Sequence, residues 1–207
     1  MSSVLKRKKK KMQPLGYTKN ELIGMQDYAR RKSNTDKLIE ESFKNIRLIA
    51  YQILHDKFGF GQKRIIRVEN TIDEYLQSAE SGGMSTDELQ YFLKEKCGID
   101  VKDEANRVPF RERFALTNYK INPDSRQSGG MYLLASICNY FSLLGVCLKA
   151  QFKFSARQII EVYEWVRYYI NSLALWNESG GKRGECLKGI AEVLMDECKY
   201  CDSRFAE

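Results

Sequence analysis

Phe58-Gly59-Phe60-Gly61-Gln62-Lys63-Arg64-Ile65-Ile66-Arg67-Val68 is echoed later in the chain by Phe152-Lys153-Phe154-Ser155-Ala156-Arg157-Gln158-Ile159-Ile160-Glu161-Val162. The register continues without a gap to Tyr75 and Ser78, which fall on Tyr169 and Ser172; seven of twenty-one positions are identical at a constant offset of 94. An echo at fixed offset points to one helical module present twice. Two copies are too few for a solenoid, so the expected result is a closed, pseudo-symmetric globule. The fold class read from this is all-α: a helical bundle of two related modules.

Working outward, Leu38, Ile39, Phe43, Ile46, Ile49, Ala50 and Ile53 recur at spacings of three and four, predicting an amphipathic helix over about 36–57. Gly59 and Gly61 turn the chain into a helix over 62–79, which Gly82-Gly83 ends. Ser85-Thr86-Asp87-Glu88 is a capping box for a helix to Cys97-Gly98. In the second copy, Met131–Leu148 matches the 36–57 helix. Ser155 to Gln158 is again a capping box, Gly180-Gly181 again a break, and a last helix runs to about Tyr200. Leu89, Phe92, Leu93 and Cys97 there align with Ile190, Val193, Leu194 and Cys198. Upstream, Thr18-Lys19-Asn20-Glu21 is a capping box for a helix to about Lys32, which Ser33-Asn34-Thr35 is expected to break. The domain reading is a disordered basic tail (1–17), module one (18–100), a polar linker with a short helix near Phe110–Asn118 (101–130), and module two (131–207).

The net charge of +7 is uneven: residues 1–47 carry thirteen Lys/Arg against five acids, and the remainder sums to −1. The basic character therefore belongs to the N-terminal segment, where Lys6-Arg7-Lys8-Lys9-Lys10-Lys11 is dense enough to repel itself. No apolar run follows those charges, so no secretory signal is read, and six cysteines set among apolar helical residues fit a reducing cytoplasm. Met131–Leu148 is eighteen residues without a charge, but Ser136, Asn139 and Ser142 interrupt it and its counterpart carries Lys44 and Arg47. A shared core helix, with no membrane partner, is the reading.

The candidate site residues are cationic. Two glycines before a helix expose its first amides, and Lys63, Arg64 and Arg67 add charge where the helix dipole is already positive. That suits a phosphate or an acidic partner; the alternative is a helix–helix turn whose phenylalanines plug the core while the bases face water. It is neither a P-loop, lacking the Gly-Lys-Ser/Thr ending, nor a dinucleotide fingerprint, lacking a preceding strand. Lys8, Lys9, Lys10, Lys11, Arg30 and Arg31 are placed with it as contacts to nucleic acid by counterion release. Residues 36–79 also allow a helix-turn-helix, with 62–79 as the reading helix.

The stretch His55-Asp56-Lys57-Phe58-Gly59-Phe60-Gly61-Gln62-Lys63-Arg64, followed by an amphipathic helix and a short acid-capped one, resembles small proteins encoded by phages and prophages of Gram-positive bacteria. The resemblance spans residues 40–100 and rests on His55 to Ile65. It implies a mobile-element origin and a host bacterial cytoplasm; the group has no assigned activity, so it carries over no catalytic residue.

Cys198-Lys199-Tyr200-Cys201, with Cys186 nearby, is half a zinc pattern, and the sole histidine, His55, is distant in sequence; no metal site and no cofactor is assigned. Tyr163, Trp165, Tyr168, Tyr169 and Trp176 cannot all face one core from one helix, since neighbours point about 100° apart. No Ser/His/Asp or Cys/His set exists beyond one histidine. The functional expectation is a non-enzymatic phage-type accessory protein that binds nucleic acid or a host nucleoprotein through its basic surface. The alternative is a protein-directed inhibitor of a host defence system, such as an anti-CRISPR protein blocking an effector nuclease.

Overall fold

The computed structural model describes the backbone of residues 19–118, 125–182 and 184–205, with side chains from 32 onward. Seven α-helices are found among these: α1 (Lys19–Phe58), α2 (Gln62–Glu80), α3 (Thr86–Cys97), α4 (Val101–Asn106), α5 (Arg126–Phe152), α6 (Ala156–Glu178) and α7 (Glu185–Cys198), with a 3-10 turn at Glu112–Leu116. No strand occurs among the described residues. The protein is an all-α bundle. The chain divides into two units, Met1–Asp36 and Lys37–Glu207. The first is helical from Lys19, and the second holds the remainder of α1 and every later element.

α5 is the core helix. It is buried on all sides from Tyr140 to Leu148 and packs against α2, α3, α4, α6 and the 3-10 turn. The Ser and Asn residues that interrupt its apolar run are each accommodated. Ser142 donates to the Cys138 carbonyl (2.8 Å), Ser136 pairs with Ser42 of α1 (2.8 Å), and Asn139 faces out. Among the described residues only α5 is long and apolar enough to cross a membrane, and 72% of its most apolar window is buried inside the fold. Burial of a uniformly apolar helix is what a core position requires.

The sequence echo has geometric counterparts. α1 ends at Phe58 and α5 at Phe152; α2 begins at Gln62 and α6 at Ala156, each pair 94 apart. Gly59 (φ +64°) and Lys153 (φ +60°) take the same left-handed turn, and Phe60 and Phe154 close it by donating to the Leu54 and Leu148 carbonyls. The rings cross reciprocally: Phe58 meets Phe154 (5.1 Å) while Phe60 meets Phe152 (4.9 Å). Ser85 and Ser155 form the expected capping boxes over α3 and α6. The one predicted on Thr18 lies outside the described residues.

Two expectations are corrected. Ser33-Asn34-Thr35 does not break the helix; α1 runs through it. Each of these residues costs only a few tenths of a kcal/mol in a helix, and no Gly or Pro adds to them. The stretch read as a polar linker is packed from 101 to 118: Val101, Glu104, Ala105, Val108, Arg113 and Leu116 are buried. Its polarity misleads because Arg113 satisfies the Val108 carbonyl (3.0 Å) and Asn45 the Leu116 carbonyl (3.0 Å).

Tyr163 of α6 stacks on Phe141 of α5 (4.2 Å between centroids) and donates to its carbonyl at 2.6 Å. Gly145 makes this approach possible: a Cβ there would overlap the Tyr163 hydroxyl and come within 3.0 Å of Leu93. Gly145→Ala is therefore expected to destabilise the fold by about 2–4 kcal/mol, from overpacking and a lost buried hydrogen bond. Gly189 in α7 has nothing within 4 Å of a built Cβ. Gly189→Ala is expected to stabilise by about 0.5–1 kcal/mol. Urea melts of the two variants check the opposite signs.

Candidate anion-binding groove

The corner between α1 and α2 is built by local chemistry. The left-handed turn at Gly59 reverses the chain, and Phe60 drops into the core at 2% exposure. Gly61 is the N-cap of α2 and supplies no side-chain acceptor, and no acid lies in the first turn. The positive end of α2 thus has no carboxylate of its own helix to neutralise it. At the matching position α6 is capped by Ser155 and Gln158.

Above this corner lies a groove of about 480 Å³, lined by Phe60, Lys63, Arg64, Arg67, Gln151, Phe152 and Phe154. Among the described residues three cations and no carboxylate line it. Arg64 lies over the Phe60 ring (5.5 Å) and Arg67 over the Phe152 ring (5.5 Å), so aromatic faces hold both guanidinium stems. Arg67 also donates to Gln151 at 2.6 Å, which fixes it across the groove. All three cations are solvent-exposed, and no ion pair among the described residues involves them. Their charge remains available to an outside anion.

Offset by 94, the same positions read Arg157, Gln158 and Glu161. The second corner keeps the phenylalanines and loses the cationic set. The structure brings Lys63, Arg64 and Arg67 together. Arg30 and Arg31 fall within α1, but their side chains, and Lys8 to Lys11 altogether, lie outside the described residues. Gln151 was missed by sequence reasoning. The echo aligned Phe152 with Phe58, but nothing in it revealed that the end of α5 faces the start of α2.

Behind the corner, His55 accounts for its place in the motif. Its Nδ1 lies 2.9 Å from the Phe60 carbonyl and its Nε2 3.0 Å from Glu197 on α7. A carbonyl and a carboxylate can only accept, so with both contacts made each ring nitrogen donates, which is the charged imidazolium. The Phe60 carbonyl chiefly, with partial burial opposing and Glu197 assisting, raises the His55 pKa above its usual value.

The six thiols are all free, and burial pushes Cys147 up to about 12, which leaves it inert at neutral pH. Of the aromatic residues on α6, Tyr163 is fully buried, Trp165 half-buried beneath Lys57 (4.0 Å), and Tyr168 and Trp176 exposed.

No family model, curated protein or solved structure matches this chain.

Proposed function

We propose that this protein is a non-enzymatic accessory protein of phage type, acting in a host bacterial cytoplasm, that binds nucleic acid or a nucleoprotein through the Lys63/Arg64/Arg67 groove. Lys8 to Lys11, Arg30 and Arg31 add sequence-independent attraction. The observation that carries the reading is three exposed cations converging on a carboxylate-free groove beside an uncapped helix start. Phosphate is the anion such a site suits best, since helix-end amides and guanidinium forks both match its oxygens. On α2 the cationic face ends at Arg67 and gives way to exposed Asn70 and Glu74, which favours contact with a phosphate backbone over a long base-reading helix. In the same reading the chain descends from one duplicated module. The reciprocal Phe58–Phe154 and Phe60–Phe152 contacts support this, because a two-fold axis imposes such an exchange on a repeated pair.

Titration of the full chain against single- and double-stranded DNA and RNA across a salt series tests the reading. Replacing Lys63, Arg64 and Arg67 by Gln together is expected to reduce the slope of log affinity against log salt by about 2–3, at 0.7–0.9 per lost phosphate contact. Wild-type binding that ignores salt, or a triple variant with an unchanged slope, overturns it.

The alternative, inhibition of a host defence protein, is favoured by one observation: Tyr168, Leu175 and Trp176 are exposed along α6. Apolar and aromatic side chains of this kind suit the buried centre of a protein interface. A protein partner retained by the chain after nuclease treatment of a host lysate, and lost on Tyr168→Ser with Trp176→Ser, distinguishes this reading from the first.

A further inference from the structure

His55, Asp56 and Glu197 offer one nitrogen and two carboxylates, from the end of α1 and the end of α7, with ligand atoms all within 4.8 Å of one another. The geometry points to a site for one divalent transition ion, of the Zn²⁺, Co²⁺ or Mn²⁺ class, held by His55 Nε2 and the two carboxylates.

Three features support this beyond proximity. The imidazole is oriented as a ligand: Nδ1–H is bound to the Phe60 carbonyl, and Nε2, hydrogen-bonded to Glu197 here, is the nitrogen that an ion would take in place of its proton. A backbone carbonyl behind a metal-binding histidine is the usual means of fixing its tautomer. Asp56 is oriented as well, by the Gln52 amide (2.8 Å) on one oxygen and the Tyr169 hydroxyl (3.3 Å) on the other. Each carboxylate oxygen has a second lone pair, so these bonds leave Asp56 able to ligate. The spacing also fits. Donors 2.0–2.2 Å from a shared ion lie roughly 3–3.5 Å from each other, and His55 Nε2 and Glu197 Oε2 are 3.0 Å apart. Asp56, which is exposed, offers the third ligand from within 4.8 Å of the other two.

The chemistry of the set selects the ion. One imidazole with two carboxylates is borderline in softness, suits Zn²⁺, Mn²⁺ and Co²⁺, and leaves positions open to water. The free thiols are not part of it, although Cys198 follows Glu197 closely: Cys198 is buried and directed to the Leu194 carbonyl (3.0 Å). An ion here would tie the α1–α2 corner to α7 from behind the groove, with Phe60 shared between the two: its carbonyl orients His55 and its ring lines the groove.

The test is titration of the full-length protein with CoCl₂ at pH 8 under reducing conditions, followed by calorimetry and visible absorption. The expected result is one ion per chain, with d–d bands and no thiolate charge-transfer band. His55→Ala is expected to weaken binding at least 100-fold. Glu197→Gln, at an exposed position that does not threaten folding, is expected to weaken it at least tenfold, and Tyr169→Phe, through loss of orientation, by up to about tenfold. Cys201→Ser is expected to change nothing. No saturable binding, a thiolate band, or equal affinity in Glu197→Gln overturns the site. The experiment contains no nucleic acid, so its failure leaves the groove reading untouched.

Discussion

Phe60→Ala is expected to lower the unfolding free energy by about 3–5 kcal/mol, the usual cost of removing a buried ring. Phe60 is 2% exposed and touches Phe152 (4.9 Å) and Phe154 (6.0 Å), with the Arg64 guanidinium over its ring. Truncation removes the apolar surface of the ring and leaves a space that the reversed chain at Gly59 cannot close, because Phe60 and Gly59 are pinned by their amides to the Leu54 and His55 carbonyls. It also removes the floor of the groove, so the polyanion affinity of whatever folded protein remains is expected to fall too. Phe60→Leu, which keeps most of the volume, is expected to cost less than half as much. Urea denaturation of the three proteins decides it. A cost below about 1.5 kcal/mol for the alanine variant places the ring outside the set of large core losses, and the corner is then not fixed by its phenylalanines.

Phe60 also marks how much could be read from the chain. The repeated Phe-x-Phe and Ile-Ile spacing located the corner, the Ser-x-x-Glu and Ser-x-x-Gln patterns the capping boxes at Ser85 and Ser155, and the periodicity the start of α2 and the C-terminal end of α1, because these depend on contacts within a few residues of each other. What sequence could not supply was which helix end faces which. Gln151 and Phe152 enter the groove only because α5 stops where α2 starts, and Glu197 reaches His55 across 142 positions. The 101–118 segment was misread for a related reason. Its polar groups look like solvated surface until their partners, Arg167 for the Glu104 carboxylate and Asn45 for the Leu116 carbonyl, are brought in from elsewhere. Local periodicity marks apolar faces well, but it carries no signal for a buried polar side chain satisfied by a distant one.

Glu104 provides the second large effect. It sits on α4 at 6% exposure, with Oε2 2.6 Å from Arg167 of α6 and Oε1 3.1 Å from Arg107. Arg167 is itself largely buried, so removing the carboxylate leaves its guanidinium, in a poorly hydrated place, with only the exposed Glu164 at 4.0 Å to balance it. Glu104→Ala is expected to cost about 3–5 kcal/mol, most of it the penalty of that orphaned charge and little of it net attraction. The distinction is testable. Glu104→Leu combined with Arg167→Met removes both charges while keeping volume, and is expected to recover to within about 1 kcal/mol of the parent, or to exceed it. Arg107, exposed on the other side of the carboxylate, is expected to contribute less than about 1 kcal/mol when changed to Ala. Thermal and urea melts of the single and double variants measure the coupling. If the double variant is as unstable as Glu104→Ala, the pair holds α4 against α6 by its attraction, and the polar link itself fixes the position of this segment over the core helix.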